Sequence, residues 1–276
     1  MNKKETINFL KKENFFPSKK MGQNFLLCNQ TKKRIVEVSR IKENDYVLEI
    51  GPGLGAITSE LIKKTKNLFL VELDKRLYAF LKEKYHDVEN LKIINDDILS
   101  IDLNDLFKEI DSDDIKIVAN LPYSISSKII LILLNINKVK QITIMVQKEM
   151  ADRLAAPVGT KEYNGFTALL SLVSNVKQEF LVDKSLFYPE PNIQSVVITI
   201  SVNEHFDNFN EIGKFFRLCF SSKRKSLVNN LNSNYKKEKI IEILDELNID
   251  RMIRAERLSP QQLLNLLEKL KNHSVV

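Results

Sequence analysis

Five short apolar runs set the frame of the chain. Residues 46–50, 68–71, 91–94, 115–119 and 141–146 are each four to six residues long, rich in Val, Ile and Leu, and each stops at a glycine or a polar side chain. Runs of this length and abruptness read as strands buried on both faces, the pattern of a parallel sheet covered by helices. Between and after them, apolar residues recur at helical spacing over 29–40, 56–64, 125–135, 148–156 and 165–174. Two further apolar runs, 176–181 and 195–202, have no helix between them and predict an antiparallel finish to the sheet. From 203 the pattern changes to helices alone, at 209–220, 223–232, 236–247 and 260–271. The expectation is an α/β domain over 1–202 followed by a small all-α domain over 203–276.

The chemistry-bearing residues collect where the predicted strands stop. In open α/β sheets that edge is where ligands bind. The first strand runs into Gly51-Pro52-Gly53-Leu54-Gly55, which lets a backbone come close to a ligand and leads toward the free N–H groups of a helix start. The second ends at Glu72, about twenty residues after Gly51, where a carboxylate can accept both hydroxyls of a ribose. Together these two features predict a nucleoside-containing cofactor, with NAD still open. The third ends in Asn95-Asp96-Asp97, where Asp97 suits an adenine amino group and Asp96 a turn or solvent. The fourth ends in Asn120-Leu121-Pro122-Tyr123. Pro122 has a fixed φ and no N–H, and it pushes Leu121 into an extended conformation.

The Asn120 side-chain oxygen and the Leu121 carbonyl can each accept a hydrogen from an exocyclic NH2 on a flat base, while the Tyr123 ring stacks on its face. Two acceptors arranged around that nitrogen favour the pyramidal geometry in which its lone pair attacks, which is catalysis by positioning. The plain alternative is a turn that follows a strand. Later in the chain Phe187-Tyr188-Pro189-Glu190-Pro191 is a rigid loop headed by an aromatic residue, and taken alone Phe187 reads as core.

Composition narrows the classes. The 276 residues suffice for one large domain and an appendage. No apolar run reaches membrane-spanning length and the Lys-rich start lacks the apolar centre of a secretory signal, so a soluble, cytoplasmic protein is expected. Cys28 and Cys219 are far apart and outside any Cys-x-x-Cys pair, and His86, His205 and His273 are isolated, so no metal is expected. The net charge of +6 is unevenly placed: residues 1–40 hold ten Lys/Arg against three Glu, and 203–276 hold thirteen against ten acids. The centre is therefore acidic. Basic flanks, with Lys223-Arg224-Lys225 inside a predicted helix, suit a phosphate backbone.

Taken in order, Lys-x-Met21-Gly-Gln-Asn-Phe-Leu, Glu49-Ile-Gly-Pro-Gly-Leu-Gly, Glu72-Leu-Asp, Asn95-Asp-Asp, Asn120-Leu-Pro-Tyr-Ser-Ile-Ser, Gln147-Lys-Glu and Phe187-x-Pro-x-Pro-Asn-Ile-x-Ser resemble the ribosomal RNA adenine N6-dimethyltransferases over about 20–230. Phe220-Ser-Ser-Lys-Arg-Lys-Ser-Leu points to the small-subunit branch of that family. The resemblance implies a class I S-adenosyl-L-methionine-dependent methyltransferase sheet (Rossmann-like) and S-adenosyl-L-methionine as cofactor. It implies as substrate two adjacent adenosines in a hairpin loop near the 3′ end of 16S rRNA, in an assembling small ribosomal subunit. By matching position, Asn24, Leu26, Gly51, Glu72, Asp97 and Asn120 would contact the cofactor, and Tyr123 and Phe187 would sandwich the base. Met21, Ser124 and Lys223 depart from the usual residues, the last exchanging an Arg fork for a point charge. Two rivals are a 23S rRNA dimethyltransferase of the macrolide-resistance type and a non-catalytic RNA-binding relative. A protein monomer suffices for every step.

Overall fold

A mixed sheet of seven strands holds every strand predicted above. The computed structural model describes residues 3–18, 21–108 and 110–272, the side chains of Tyr123 and Asn272 excepted. In chain order the strands are β1 (Phe25–Leu26), β2 (Tyr46–Ile50), β3 (Asn67–Glu72), β4 (Leu91–Asn95), β5 (Ile115–Asn120), β6 (Val139–Gln147), β7 (Ser174–Val182), β8 (Phe187–Tyr188) and β9 (Ser195–Val202). The large sheet has the order β4-β3-β2-β5-β6-β9-β7. All pairs from β4 through β6 are parallel, and β9 runs antiparallel to β6. β5 is buried along its length until Asn120, because helices cover both faces of a parallel sheet and leave no polar side for it to show.

The strand order reverses at β2. Chain order proceeds outward from β2 to β3 and β4, then returns to place β5 on the other side of β2. A crevice opens at such a switch point, above the carboxyl ends of the strands. Register sets what faces it: Val71 pairs with Ile50 and Ile50 with Ala119, so Glu72, Gly51 and Asn120 emerge at one level on three adjacent strands.

The chain divides into two compact units, 1–151 with 176–202, and 152–175 with 203–276. This moves 152–175 out of the domain that the sequence pattern assigned it to. The reason is apolar: helix Gly165–Val173 is buried along most of its length and packs on helix Phe209–Cys219. Glycines allow close approach there, since a Cβ on Gly165 would come within 2.9 Å of the Phe216 carbonyl oxygen. The second unit also holds helices Leu227–Leu231, Lys237–Glu246 and Pro260–Asn272. Helix Leu227–Leu231 is shorter than predicted. Ser226 caps it, accepting from the Asn229 N–H, and Lys223-Arg224-Lys225 therefore lie on the preceding turn and not in a helix.

Other differences are local. Helix 56–64 shrinks to Thr58–Leu61 flanked by turns, and helices Lys3–Lys12 and Lys75–Lys84 add to those expected, their buried Thr6 and Leu10, and Leu77 and Leu81, standing four residues apart. Residues 25–26, for which no strand was expected, and 187–188, expected in a loop, pair as a two-stranded antiparallel ribbon with Phe25 opposite Tyr188 and Leu26 opposite Phe187. No helix among the described residues is long and apolar enough to cross a membrane.

Candidate active site

A cavity of about 530 Å³ lies above the carboxyl ends of β2, β3 and β5, with residues 18 and 21–26 over it. Its lining includes Asn24, Leu26, Gly51, Glu72, Asp97, Asn120, Leu121 and Pro122, so every described residue assigned above to the cofactor or the amine clamp is gathered there. The volume falls in the range of small-molecule sites. Tyr123 begins helix Tyr123–Leu134, but its ring lies outside the described residues, as do Lys19, Lys20 and His273.

The clamp oxygens meet no donor among the described residues. The Asn120 Nδ2 donates to the Asn24 carbonyl at 3.3 Å, which ties the amine end of that amide to the protein. Its Oδ1 receives no donor among the described residues. The Leu121 N–H is held by the Met145 carbonyl at 3.1 Å, while the Leu121 carbonyl is likewise unclaimed. Pro122, with φ −60°, precedes the helix, and its carbonyl accepts from the N–H groups of Ile125 and Ser126. The turn is therefore locked by its neighbours and leaves two acceptors open at the cavity. Gly22 rests on it, where a Cβ would approach the Pro122 Cβ to 3.1 Å.

The Glu72 carboxylate is already engaged by the backbone. Its Oε2 accepts the Gly53 N–H at 3.0 Å and its Oε1 the Asp74 N–H at 2.9 Å, so each oxygen already carries one backbone donor. A carboxylate oxygen has a second lone pair, so hydroxyl donors add to these bonds and need not replace them. Burial raises the Glu72 carboxyl above the usual range, and the two N–H groups oppose that rise. Gly53 itself has φ +59°, and a Cβ there would sit 3.3 Å from the Phe25 ring. Asp97 accepts the Leu99 N–H through Oδ1 at 2.9 Å, leaving Oδ2 for a ligand. Asp96 both lines the cavity and accepts the Asp97 N–H at 2.7 Å.

Phe187 is not brought to this cavity. It is 2 % exposed and belongs to the core beside Leu26, its ribbon partner, and Val182 and Val197. The stacking role assigned to it is not seen in this arrangement.

Two arrangements escaped the sequence reading. Glu49, 2 % exposed, accepts from the Thr58 hydroxyl at 2.6 Å, and burial pushes its carboxyl up to about 8. A carboxylate inside Val47-Leu48-Glu49-Ile50 was the available signal. Asp74 caps helix Lys75–Lys84 and joins it to the covering segment: its Oδ2 accepts from Gln23 Nε2 at 3.1 Å and Arg76 Nη2 at 2.9 Å, and the Arg76 guanidinium lies 4.1 Å over the Phe15 ring. Burial works against the charge on Asp74, yet Arg76 and Gln23 hold it below the ordinary carboxylate range.

The family model for ribosomal RNA adenine dimethylases matches residues 15–272. The chain belongs to the ribosomal RNA adenine dimethylase family. Among curated relatives, the ribosomal RNA small subunit methyltransferase A of Ureaplasma parvum serovar 3 is 47 % identical over 276 residues, covering 98 % of this chain and 99 % of that protein. The protein of that name from Bacillus pumilus is 37 % identical, with 96 % of each covered. A dimethyladenosine transferase from Plasmodium falciparum has the same fold, with TM-score 0.79, 27 % identity and coverage of 91 % of this chain and 98 % of that one. The 23S rRNA methyltransferase ErmE is more distant, with TM-score 0.68 and 24 % identity over 90 % of this chain, and shows the fold alone. For this adenine dimethylase family member the class I methyltransferase sheet is therefore established, as the strand order already indicated.

Proposed function

We propose that the protein dimethylates the N6 amino groups of two adjacent adenosines in a hairpin loop near the 3′ end of 16S rRNA, on the small ribosomal subunit in the cytoplasm. S-adenosyl-L-methionine is the methyl donor, supplying an electrophilic methyl group on a sulfonium. The observation that carries the mechanism is the pair of oxygens, Asn120 Oδ1 and the Leu121 carbonyl, that receive no donor among the described residues, on a turn locked beside the cavity. Relatives named small subunit methyltransferases across the full chain length support the small-subunit substrate over the large-subunit one.

In this reading Glu72 and Asp97 hold the nucleoside end of the cofactor, and the glycine loop and Asn24 hold the remainder. The target adenine leaves its stack, at a cost of a few kcal/mol. Stacking on an aromatic ring offsets about 1–3 kcal/mol of that, and Tyr123 is the residue placed in sequence to provide it. Asn120 and Leu121 would accept from the amino group and direct its lone pair at the methyl carbon, the N–C bond forming as the S–C bond breaks and its electron pair stays on sulfur, which leaves as a neutral thioether. The attack needs no prior base, since the product ammonium is acidic enough to lose its proton afterwards. After the first transfer one N–H is gone, and the remaining acceptor still orients the nitrogen.

The test is transfer of tritiated methyl groups to under-methylated small subunits, with large subunits and free RNA as alternatives. Dimethyladenosine in 16S rRNA and its loss in Asn120→Ala, with fold retained, are expected. Label in 23S rRNA overturns the substrate, and near wild-type turnover by Asn120→Ala overturns the clamp.

A further inference from the structure

The glycine loop that lines the cavity has one backbone bond of its own, Gly55 N–H to the Pro52 carbonyl at 2.9 Å, and one to β3, Gly51 N–H to the Val71 carbonyl at 2.9 Å; side chains from outside hold the rest. Gly51, Gly53 and Gly55 all have positive φ, at +65°, +59° and +73°. Such a loop has few side chains of its own with which to hold a shape. On the cavity side its restraint at Gly53 comes from Glu72, a residue that also faces the ligand.

On the opposite side two residues at the end of helix Lys75–Lys84 reach the loop. Lys84 Nζ donates to the Leu54 carbonyl at 2.9 Å, and the Tyr85 hydroxyl donates to the Gly55 carbonyl at 3.1 Å. Neither residue lines the cavity. The Lys84 ammonium also lies 4.9 Å from the centre of the Tyr85 ring and 5.5 Å from that of Phe80, which fixes it beside the loop. The fit leaves no spare room: a Cβ on Gly55 would sit 2.6 Å from the Tyr85 oxygen and 3.2 Å from Lys84 Nζ.

We propose that Lys84 and Tyr85 are positioning residues for the methyl donor, acting as an external brace that keeps the glycine loop in its ligand-binding shape. The proposal rests on the cavity being the S-adenosyl-L-methionine site and adds residues that never touch it. The brace grips the Leu54 and Gly55 carbonyls, and the Gly55 carbonyl also accepts the Ser59 N–H at 3.3 Å, so the loop is tied both to helix Lys75–Lys84 and to the turn that follows it. Drawing on the Gly55 carbonyl polarises the amide it belongs to, whose N–H is on Ala56, a lining residue. Because it acts from behind, the brace holds equally with and without ligand. The loop is then preorganised and the cofactor does not have to order it.

The experiment compares Lys84→Met, Lys84→Arg and Tyr85→Phe with wild type by calorimetric binding of S-adenosyl-L-methionine and by steady-state methyl transfer. Loss of a charged hydrogen bond on this scale is expected to weaken binding about tenfold in Lys84→Met. KM for S-adenosyl-L-methionine rises in step, while kcat at saturating donor and KM for RNA stay within about twofold. Tyr85→Phe, which deletes one oxygen and nothing from the fold, is expected to show a smaller change of the same kind, and Lys84→Arg to recover most of the affinity. Binding within twofold of wild type in both Lys84→Met and Tyr85→Phe overturns the brace. So does a fall in kcat with donor affinity unchanged. Failure of the wild-type protein to bind the donor at all would instead overturn the reading of the cavity.

Discussion

Replacing Glu49 by Gln gives the sharpest test of the electrostatics beneath the site. Glu49 is the penultimate residue of β2, 2 % exposed, with Thr58 as its hydroxyl donor. Burial raises its carboxyl from 4.5 to about 8, and the nearby Glu72 adds to the rise while Lys84 opposes it. Between those two values the folded protein holds a proton that the unfolded chain has lost. Stability therefore falls as pH rises through this window, the opposite of a salt-bridged carboxylate. With 1.36 kcal/mol per pKa unit, the destabilisation is about 1 kcal/mol at pH 5 and about 4 kcal/mol at pH 8. Gln keeps an oxygen for the Thr58 hydroxyl and has no proton to lose. Glu72, also raised by burial, contributes a slope of the same sign to both proteins and largely cancels in the difference. Melting curves of both proteins at pH 5, 6, 7 and 8 should show the Gln variant gaining about 3 kcal/mol over wild type across the range, or roughly 6–12 °C in Tm. A difference that is flat with pH, or one that shrinks as pH rises, would refute the assignment of a protonated, buried Glu49.

The remaining expectations concern the ribbon and the cover. Phe187→Ala removes a ring packed in the core and should cost about 3–5 kcal/mol, read as a Tm drop of roughly 10 °C; an unchanged Tm with only kcat reduced would show that the ring leaves the core to meet the base. Asp74→Asn keeps a good helix cap but presents an NH2 to the Gln23 and Arg76 donors that Oδ2 now accepts. Stopped-flow release of S-adenosyl-L-methionine should be about fivefold faster in that variant, with little change in Tm, and an unaltered release rate would show that the Gln23–Asp74 contact does not hold the cover.

The strands were legible because a parallel sheet buries both faces of each strand and writes that burial as a continuous apolar run. Val47-Leu48 and Ile117-Val118-Ala119 could be read without knowing their neighbours. The site was legible for a related reason, since Gly51, Glu72, Asp97 and Asn120 interrupt or end such runs and all face one edge. Helix ends were less visible: of the stretch read as helix over 56–64, only the single turn Thr58–Leu61 is α-helical. Residues 152–175 were assigned to the wrong unit because chain adjacency to β6 is a local fact, whereas their packing on helix Phe209–Cys219 is not.

The sequence by itself determined which segments become the strands of the large sheet, which polar residues stand at their ends, and the family to which that order of motifs belongs. Only the tertiary structure decided that Glu72 is already engaged by two backbone amides, that Phe187 turns inward, that Gln23 reaches Asp74, and that Lys84 and Tyr85 hold the loop from behind. The division has a physical cause. Burial and backbone propensity are written into local pattern, but a hydrogen bond between residues 23 and 74, or 54 and 84, depends on distances that no local pattern encodes until the chain has folded.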